Sequence, residues 1–159
     1  MIPTEDWLLQ ISNLRHYPAF ADTIADRGWH AWWTESGVPL EDYRAHLDPM
    51  LDEKDSIPSA LVAHEEGRYI GSVLIIENDL EERPDYAPWI AALWVEPDLR
   101  KQGIAAQLIA RSREHAAELG HDICYLCATA DKRPYYLKQG FTLIEEDVAG
   151  LDVFTIPSR

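Results

Sequence analysis

Residues 93–108 read LWVEPDLRKQGIAAQL, and this stretch decides the fold. An apolar strand is followed by a proline turn, a loop that contains Gly103, and an amphipathic helix. The first N–H groups of a helix have no partner within it, and the helix dipole is positive at that end. Glycine lets the loop backbone approach a ligand without a Cβ in the way. The stretch therefore predicts a site for the phosphates of a cofactor.

The rest of the chain alternates between strand-like and helix-like patterns. Strands are predicted at residues 7–13, 60–64, 69–76, 89–95, 123–128, 141–145 and 152–156, and helices at residues 17–33, 39–47, 104–119 and 132–138. A chain of 159 residues is most simply one domain, over residues 1–159. Strands mixed with helices in this order predict an α/β fold whose sheet is partly antiparallel and partly parallel.

Charge and hydropathy narrow the class of partner. The net charge of −14 would repel nucleic acid, and it would suit a cationic substrate or serve only solubility. The longest apolar runs are too short to cross a bilayer, and the first residues carry no basic segment of the kind that opens a secretory signal. We therefore expect a cytoplasmic protein that binds neither nucleic acid nor membrane, and a homodimer is left open.

The two cysteines form a C-x-x-C pair, Cys124 and Cys127, inside an apolar strand-like run. Residues three apart on a strand face opposite sides, so the two sulfur atoms should not meet. His115 and His121 do not add a compact second pair of metal ligands. We expect neither a redox pair nor a metal site.

A second motif gives the glycine loop its specificity. Alone, Arg100-x-x-Gly103-x-Ala105 is a common pattern, but residues 134–141 add PYYLKQGF one strand further on. No other phosphate-loop pattern is present in the sequence. The two segments together resemble the GNAT superfamily of N-acetyltransferases. Its loop Q/R-x-x-G-x-G/A, the preceding V-x-P and the late F-Y-x-x-x-G-F are matched at residues 100–105, 95–97 and 135–141.

The resemblance implies a mostly antiparallel mixed sheet with a splayed parallel strand pair, flanking helices, and acetyl-CoA as cofactor. Tyr136 would protonate the leaving thiolate. A bulge near Val95 and Glu96 would leave an N–H for the thioester carbonyl. The cofactor would be bound by backbone groups of Leu93, Trp94 and Val95, by the loop residues Arg100, Lys101, Gln102, Gly103, Ile104 and Ala105, and by Thr129, where the family often has asparagine.

The acceptor side is less defined. Trp29 and Trp33 are four residues apart and share a helix face, and with Glu35 and Asp79 nearby they would suit a cationic amine. The strand before the glycine loop carries no carboxylate, so the general base is open. The candidates are His30, Glu35, Asp79, Glu81 and Glu96, with a water wire to the surface preferred over each of them.

The sequence therefore predicts an acetyl-CoA-dependent N-acetyltransferase. It would move the acetyl group by direct transfer to a primary amine of a small, cationic molecule. A protein or peptide acceptor is the first alternative, and a non-catalytic acyl-CoA-binding module is the second.

Overall fold

The computed structural model describes residues 9–52 and 54–159. The helices are α1 (Ala21–Trp32), α2 (Leu40–Ala45), α3 (Ile104–Glu118) and α4 (Arg133–Lys138). The strands are β1 (Gln10–Asn13), β2 (Ser59–Glu65), β3 (Arg68–Ile76), β4 (Trp89–Val95), β5 (Ile123–Ala128), β6 (Thr142–Val148) and β7 (Leu151–Pro157).

These strands form one sheet in the order β1-β2-β3-β4-β5-β7-β6. Neighbouring strands run antiparallel except for β4 and β5, which run parallel. The parallel ladder consists of one residue pair, Trp89 with Tyr125. The predicted mixed, mostly antiparallel sheet with a splayed parallel pair and flanking helices is therefore confirmed.

Helices cover both faces of the sheet. On one face, Leu108 of α3 belongs to the same core cluster as Ile90. On the other, Ile24 of α1 and Tyr43 of α2 belong to a second cluster that includes Ala91. Successive residues of β4 thus enter different cores, as strand geometry requires. The apolar run of β4 is buried on both sides, and its carboxyl end lies between the two helical layers.

The predicted elements agree with the structure within a few residues. Of the first predicted strand, residues 7 and 8 lie outside the described residues and β1 covers the remainder. Residues 48–51 form a short helical turn in which Met50 is buried, because that side chain completes the core under α2. Among the described residues, no helix is long and apolar enough to cross a membrane.

Candidate active site

The site begins where β4 and β5 separate. The Tyr125 N–H donates to the Pro88 carbonyl at 2.9 Å, and in the described part of the chain no ladder pair joins the strands after Trp89 and Tyr125. β4 continues beside β3 as far as Val95, whereas β5 continues beside β7 as far as Ala128. A wedge-shaped gap therefore opens toward the carboxyl ends of β4 and β5. An extended molecule can pair with a free strand edge of this kind.

The bulge in β4 lies at Ala92 and Leu93, so the expectation of a bulge near Val95 and Glu96 is wrong. Both bulge residues oppose Val73 of β3, and Ala92 has a positive φ of 51°. The extra residue of a bulge has no ladder partner. An unpaired backbone group is thus placed about halfway along the wedge and not at its mouth.

The hydrogen-bond pattern decides which backbone groups of β4 face the wedge. The Glu96 N–H donates to the Ile70 carbonyl at 2.9 Å. Because ladder bonds alternate along an antiparallel strand, the backbone of Trp94 points to β3 and that of Val95 points into the wedge. Of the three residues predicted to pair with the pantetheine arm, Val95 has this orientation, and Leu93 lies in the bulge, where the alternation is interrupted. The backbone of Trp94 does not have this orientation, and its side chain packs on the α1 side.

The loop before α3 has the features expected of a phosphate site. Gly103 is the N-cap residue with φ 83°, and Lys101 also has a positive φ of 65°. No side chain caps α3, so the first N–H groups of this 15-residue helix are left for a ligand or solvent. A Cβ on Gly103 would meet no atom within 4 Å, so the protein requires glycine here for its φ and not for space. Residues 100–105 therefore fit a pyrophosphate at the positive end of a helix dipole.

The Arg100 side chain is folded back onto β4. Its Nε donates to the Val95 carbonyl at 2.8 Å, and its guanidinium carbon lies 4.5 Å from the centre of the Trp94 ring. The Arg100 side chain therefore fixes the start of the phosphate loop to the strand edge.

Tyr136 lies on α4 and packs toward the core. Its ring centre is 5.5 Å from that of Phe141 and 5.6 Å from that of Phe154. Burial, followed by the charges of Tyr135 and Cys127, raises the pKa of Tyr136 to about 12. Among the described residues no hydrogen-bond partner of its hydroxyl is found, so the phenol is a protonated donor available to a ligand.

Thr129 follows the last residue of β5. Its hydroxyl donates to the carboxylate of Asp131, and the residue is exposed. It lies at the carboxyl end of β5, on the other side of the wedge from Val95. Its contact with the cofactor stays a prediction.

The tryptophans at the end of the first helix have different packing contacts, and a substrate contact of Trp29 or Trp33 stays a prediction. The Trp29 indole N–H donates to the Val38 carbonyl at 2.7 Å, and the Trp33 ring lies 5.5 Å from the Tyr43 ring, so both hold α1 to the segment that follows. Trp32 is 51% exposed and meets Trp94 edge-on at 6.2 Å between ring centres. The aromatic group beside β4 is therefore Trp32. Sequence reasoning missed it because all three indoles are equally apolar, and the packing face of α1 depends on tertiary contacts.

Asp79 is an exposed residue of the loop that follows β3. Its carboxylate accepts a hydrogen bond from the Cys127 thiol at 3.3 Å. The carboxylate keeps contact with solvent, yet burial raises its pKa, and the thiol bond opposes that rise only in part. Burial, and then the Asp79 charge, raises the pKa of Tyr43. The other predicted acid, Glu35, is exposed in the turn after α1 and has no described contact with Asp79.

The two cysteines face opposite sides of β5, as predicted. Cys124 lies in the core under α3, and Cys127 packs against the cluster around Trp89 on the other face. Both are free thiols. Burial, then the charge of Asp79, raises the pKa of Cys127 to about 12, so this thiol is a hydrogen-bond donor at neutral pH.

Glu96 connects the end of β4 to α1. It accepts from the Arg27 Nε at 2.9 Å and from the Trp94 indole N–H at 3.4 Å. Its side chain is 17% exposed. A carboxylate that is paired with an arginine in this way positions α1 against the site.

Comparisons with known proteins agree with this geometry. A family model for the Acetyltransferase (GNAT) domain matches residues 57–143, which is more than half of the chain. No curated protein matches the chain.

Solved structures share the fold at low sequence identity. An aminoglycoside 6'-acetyltransferase type Ii is 19% identical with a TM-score of 0.71, covering 94% of this chain and 97% of that chain. An aminoglycoside 6'-N-acetyltransferase in complex with coenzyme A is 17% identical with a TM-score of 0.72, covering 94% and 97%. YncA from Salmonella typhimurium, solved with its cofactor acetyl-CoA, is 16% identical with a TM-score of 0.73, covering 96% and 95%. From the family match over residues 57–143, the chain belongs to the GNAT family and is an N-acetyltransferase that uses acetyl-CoA.

Proposed function

We propose that the protein acetylates a primary amine of a small cationic molecule by direct transfer. The observation that carries this proposal is that a carboxylate and two indole rings lie on one face of the sheet. Asp79 contacts Cys127 on this face, and the exposed Trp32 and half-buried Trp94 lie on the same face. A carboxylate together with indole rings attracts an organic cation through charge and cation–π contacts.

Two further observations support a cationic acceptor. The net charge of −14 raises the local concentration of cations around the whole molecule. Three of the similar structures are aminoglycoside acetyltransferases. Sequence identities of 17–19% establish only a shared fold. These structures therefore support a class of substrate and not a particular substrate.

The residues on the cofactor side have separate roles in this proposal. The N–H groups of the loop before α3 bind the pyrophosphate, and the edge of β4 at Leu93 and Val95 orients the arm. Tyr136 donates a proton to the sulfur that leaves. The acetyl group goes directly to the amine, because neither cysteine is a competent nucleophile. Burial raises the pKa of Cys124 to about 11 and that of Cys127 to about 12, so both remain thiols at neutral pH.

The test combines cofactor binding with a panel of acceptors. Acetyl-CoA binding is measured by isothermal titration, and thiol release is followed with aminoglycosides, polyamines, simple primary amines and lysine-bearing peptides. We expect binding in the micromolar range and turnover with a cationic small molecule. Turnover with peptides alone would replace the small-molecule acceptor by a protein, and binding without thiol release from any acceptor would contradict the proposal.

A further inference from the structure

Asp79 and Cys127 come together across the central strand of the site. Asp79 follows β3 by three residues, whereas Cys127 belongs to β5, and β4 lies between these two strands in the sheet. Their 3.3 Å contact therefore places the carboxylate above β4. Cys127 is two residues past Tyr125, the last residue of β5 that pairs with β4. The carboxylate thus lies at the inner end of the wedge.

Two small side chains of β4 lie on the same face of the sheet as this carboxylate. On the α1 face, β4 presents Ala91 and Ala92 between the large rings of Trp89 and Trp94. Ala92 is also part of the bulge, where the backbone has an unpaired group. The two alanines thus form a shallow floor beside the place where the thioester carbonyl is expected. An amine approaching that carbonyl from the α1 face would have Asp79 on its outer side.

The Cys127 thiol holds Asp79 in place and leaves it without a cationic partner. Cys127 faces it from β5 and is a neutral hydrogen-bond donor at pH 7. Among the described residues, no arginine, lysine or histidine forms an ion pair with Asp79. This distinguishes it from Glu96, whose charge is taken by Arg27. Because burial raises the pKa of Asp79, its carboxylate is a stronger base than an ordinary surface aspartate.

We propose that Asp79 is the general base of the transfer and that the Cys127 thiol positions it. The amine nitrogen forms a bond to the acetyl carbon, and the carbon–sulfur bond breaks. The nitrogen becomes acidic as its new bond forms, and its proton goes to the Asp79 carboxylate. The sulfur takes its proton from Tyr136, and solvent restores both residues. This inference rests on the proposed function and assigns the base that β4 itself does not carry.

The test compares Asp79→Asn with Asp85→Asn, an exposed aspartate of the same loop. Acetyl-CoA affinity and circular dichroism are measured first, and both variants should match the wild type. For Asp79→Asn we expect kcat to fall by about 10²-fold or more, which is the usual contribution of a general base. The acidic limb of the kcat–pH profile should also disappear, because the group that titrates there is gone. Asp85→Asn should keep the wild-type kcat and the acidic limb of the kcat–pH profile.

A second readout does not depend on turnover. The Asp79 charge contributes to the high pKa of Cys127, so Asp79→Asn should lower that pKa and increase the rate of Cys127 alkylation by iodoacetamide at pH 8–9. Mass spectrometry follows the modified peptide, and the buried Cys124 serves as an internal control. Asp85→Asn should alkylate at the wild-type rate.

The Cys127 role is tested separately. Cys127→Ala removes the donor, so kcat should fall about 3- to 10-fold while acetyl-CoA affinity is kept, consistent with loss of one hydrogen bond. Cys127→Ser restores a donor and should recover most of kcat.

The outcomes separate this inference from the proposed function. If the wild type acetylates amines but Asp79→Asn keeps kcat within about twofold, or leaves Cys127 alkylation unchanged, the assignment of Asp79 is overturned and the function stands. If the wild type binds acetyl-CoA but acetylates no amine, the proposed function is overturned and the base assignment with it.

Discussion

The guanidinium carbon of Arg100 lies 4.5 Å from the centre of the Trp94 ring, while the Arg100 Nε donates to the Val95 carbonyl at 2.8 Å. One side chain therefore joins the phosphate loop to the edge of β4. A cation–π contact contributes about 0.5–1 kcal/mol at such sites, and a hydrogen bond to a charged donor about 1.5–3 kcal/mol. The two parts of the expected cofactor site are thus mechanically coupled.

Arg100→Ala should raise the Kd for acetyl-CoA about tenfold, because loss of these contacts releases the loop and costs more than 1 kcal/mol of preorganisation. Isothermal titration measures the change. Arg111→Ala on the exposed side of α3 makes the same change in net charge and should keep wild-type affinity. Equal affinities for the two variants would contradict the anchoring role.

Tyr136→Phe should lower kcat by about 10²-fold and leave the Kd for acetyl-CoA within about twofold. The hydroxyl has no described protein partner, so its removal should have little effect on folding. Tyr135→Phe changes the exposed neighbour and is the matched control. An unaltered kcat in Tyr136→Phe would remove this residue from the mechanism.

The raised pKa of Tyr136 adds a pH prediction. A pKa of about 12 keeps the phenol protonated through the neutral and alkaline range. The wild-type kcat should therefore show no loss from Tyr136 deprotonation up to about pH 10, where an ordinary tyrosine is half ionised. A kcat that falls between pH 8 and 10 in the wild type, but not in Tyr136→Phe, would contradict this assignment.

Much of this organisation follows from the sequence, and the remainder depends on contacts between distant segments. The strand, loop and helix around Gly103 are local, so apolar periodicity and a glycine were enough to predict them. The bulge was misplaced because its position depends on the register of Val73 against β4, which no local pattern records. The Asp79–Cys127 contact joins residues 48 apart in the chain. Only the sheet order, with β4 between β3 and β5, brings them together.

Trp32→Ala should raise KM for a cationic acceptor and leave the thermal midpoint close to that of the wild type. The indole is 51% exposed and touches Trp94 at one edge, so its removal affects the surface beside Trp94 more than the core. Trp33→Ala is the control, in which the thermal midpoint should fall and KM should stay close to the wild-type value. Its ring packs on Tyr43, so it should lose about 2 kcal/mol of stability, less than for a fully buried tryptophan. Unchanged KM values for every acceptor in Trp32→Ala would exclude it from the substrate site.

Gly71→Ala should destabilise the protein by about 1–3 kcal/mol and weaken acetyl-CoA binding. A Cβ on Gly71 would lie 2.6 Å from the Trp94 carbonyl oxygen, a backbone atom that moves only with β4. A Cβ on Gly67, in the open turn between β2 and β3, would meet no atom within 4 Å. Gly67→Ala is therefore strained only by the positive φ of 79°. It should lose stability without a change in acetyl-CoA affinity. Urea denaturation and titration of both variants separate these effects, and wild-type affinity in Gly71→Ala would show that β4 tolerates the shift.

The Arg133–Asp152 pair predicts how stability depends on acid. The Arg133 Nε and Nη2 donate to the two oxygens of Asp152 at 2.7 and 2.8 Å, which fixes α4 to β7. The hydrogen bonds from Arg133 hold the pKa of Asp152 below its usual value. A carboxyl group whose pKa is lower in the folded state stabilises the fold above its unfolded pKa, and this contribution is lost as the pH falls through the folded value.

Arg133→Met should therefore lower the thermal midpoint at pH 7, and the difference from the wild type should narrow as the pH falls below about 4 and through the lowered pKa that Asp152 has in the wild type. Lys132→Met changes an exposed neighbour that lies 4.0 Å from Asp131, and its effect should be small at every pH. Because α4 also carries Tyr136, Arg133→Met should reduce kcat together with stability. A difference in thermal midpoint that stays constant from pH 3 to 7 would mean that Arg133 acts through packing and not through the charge of Asp152.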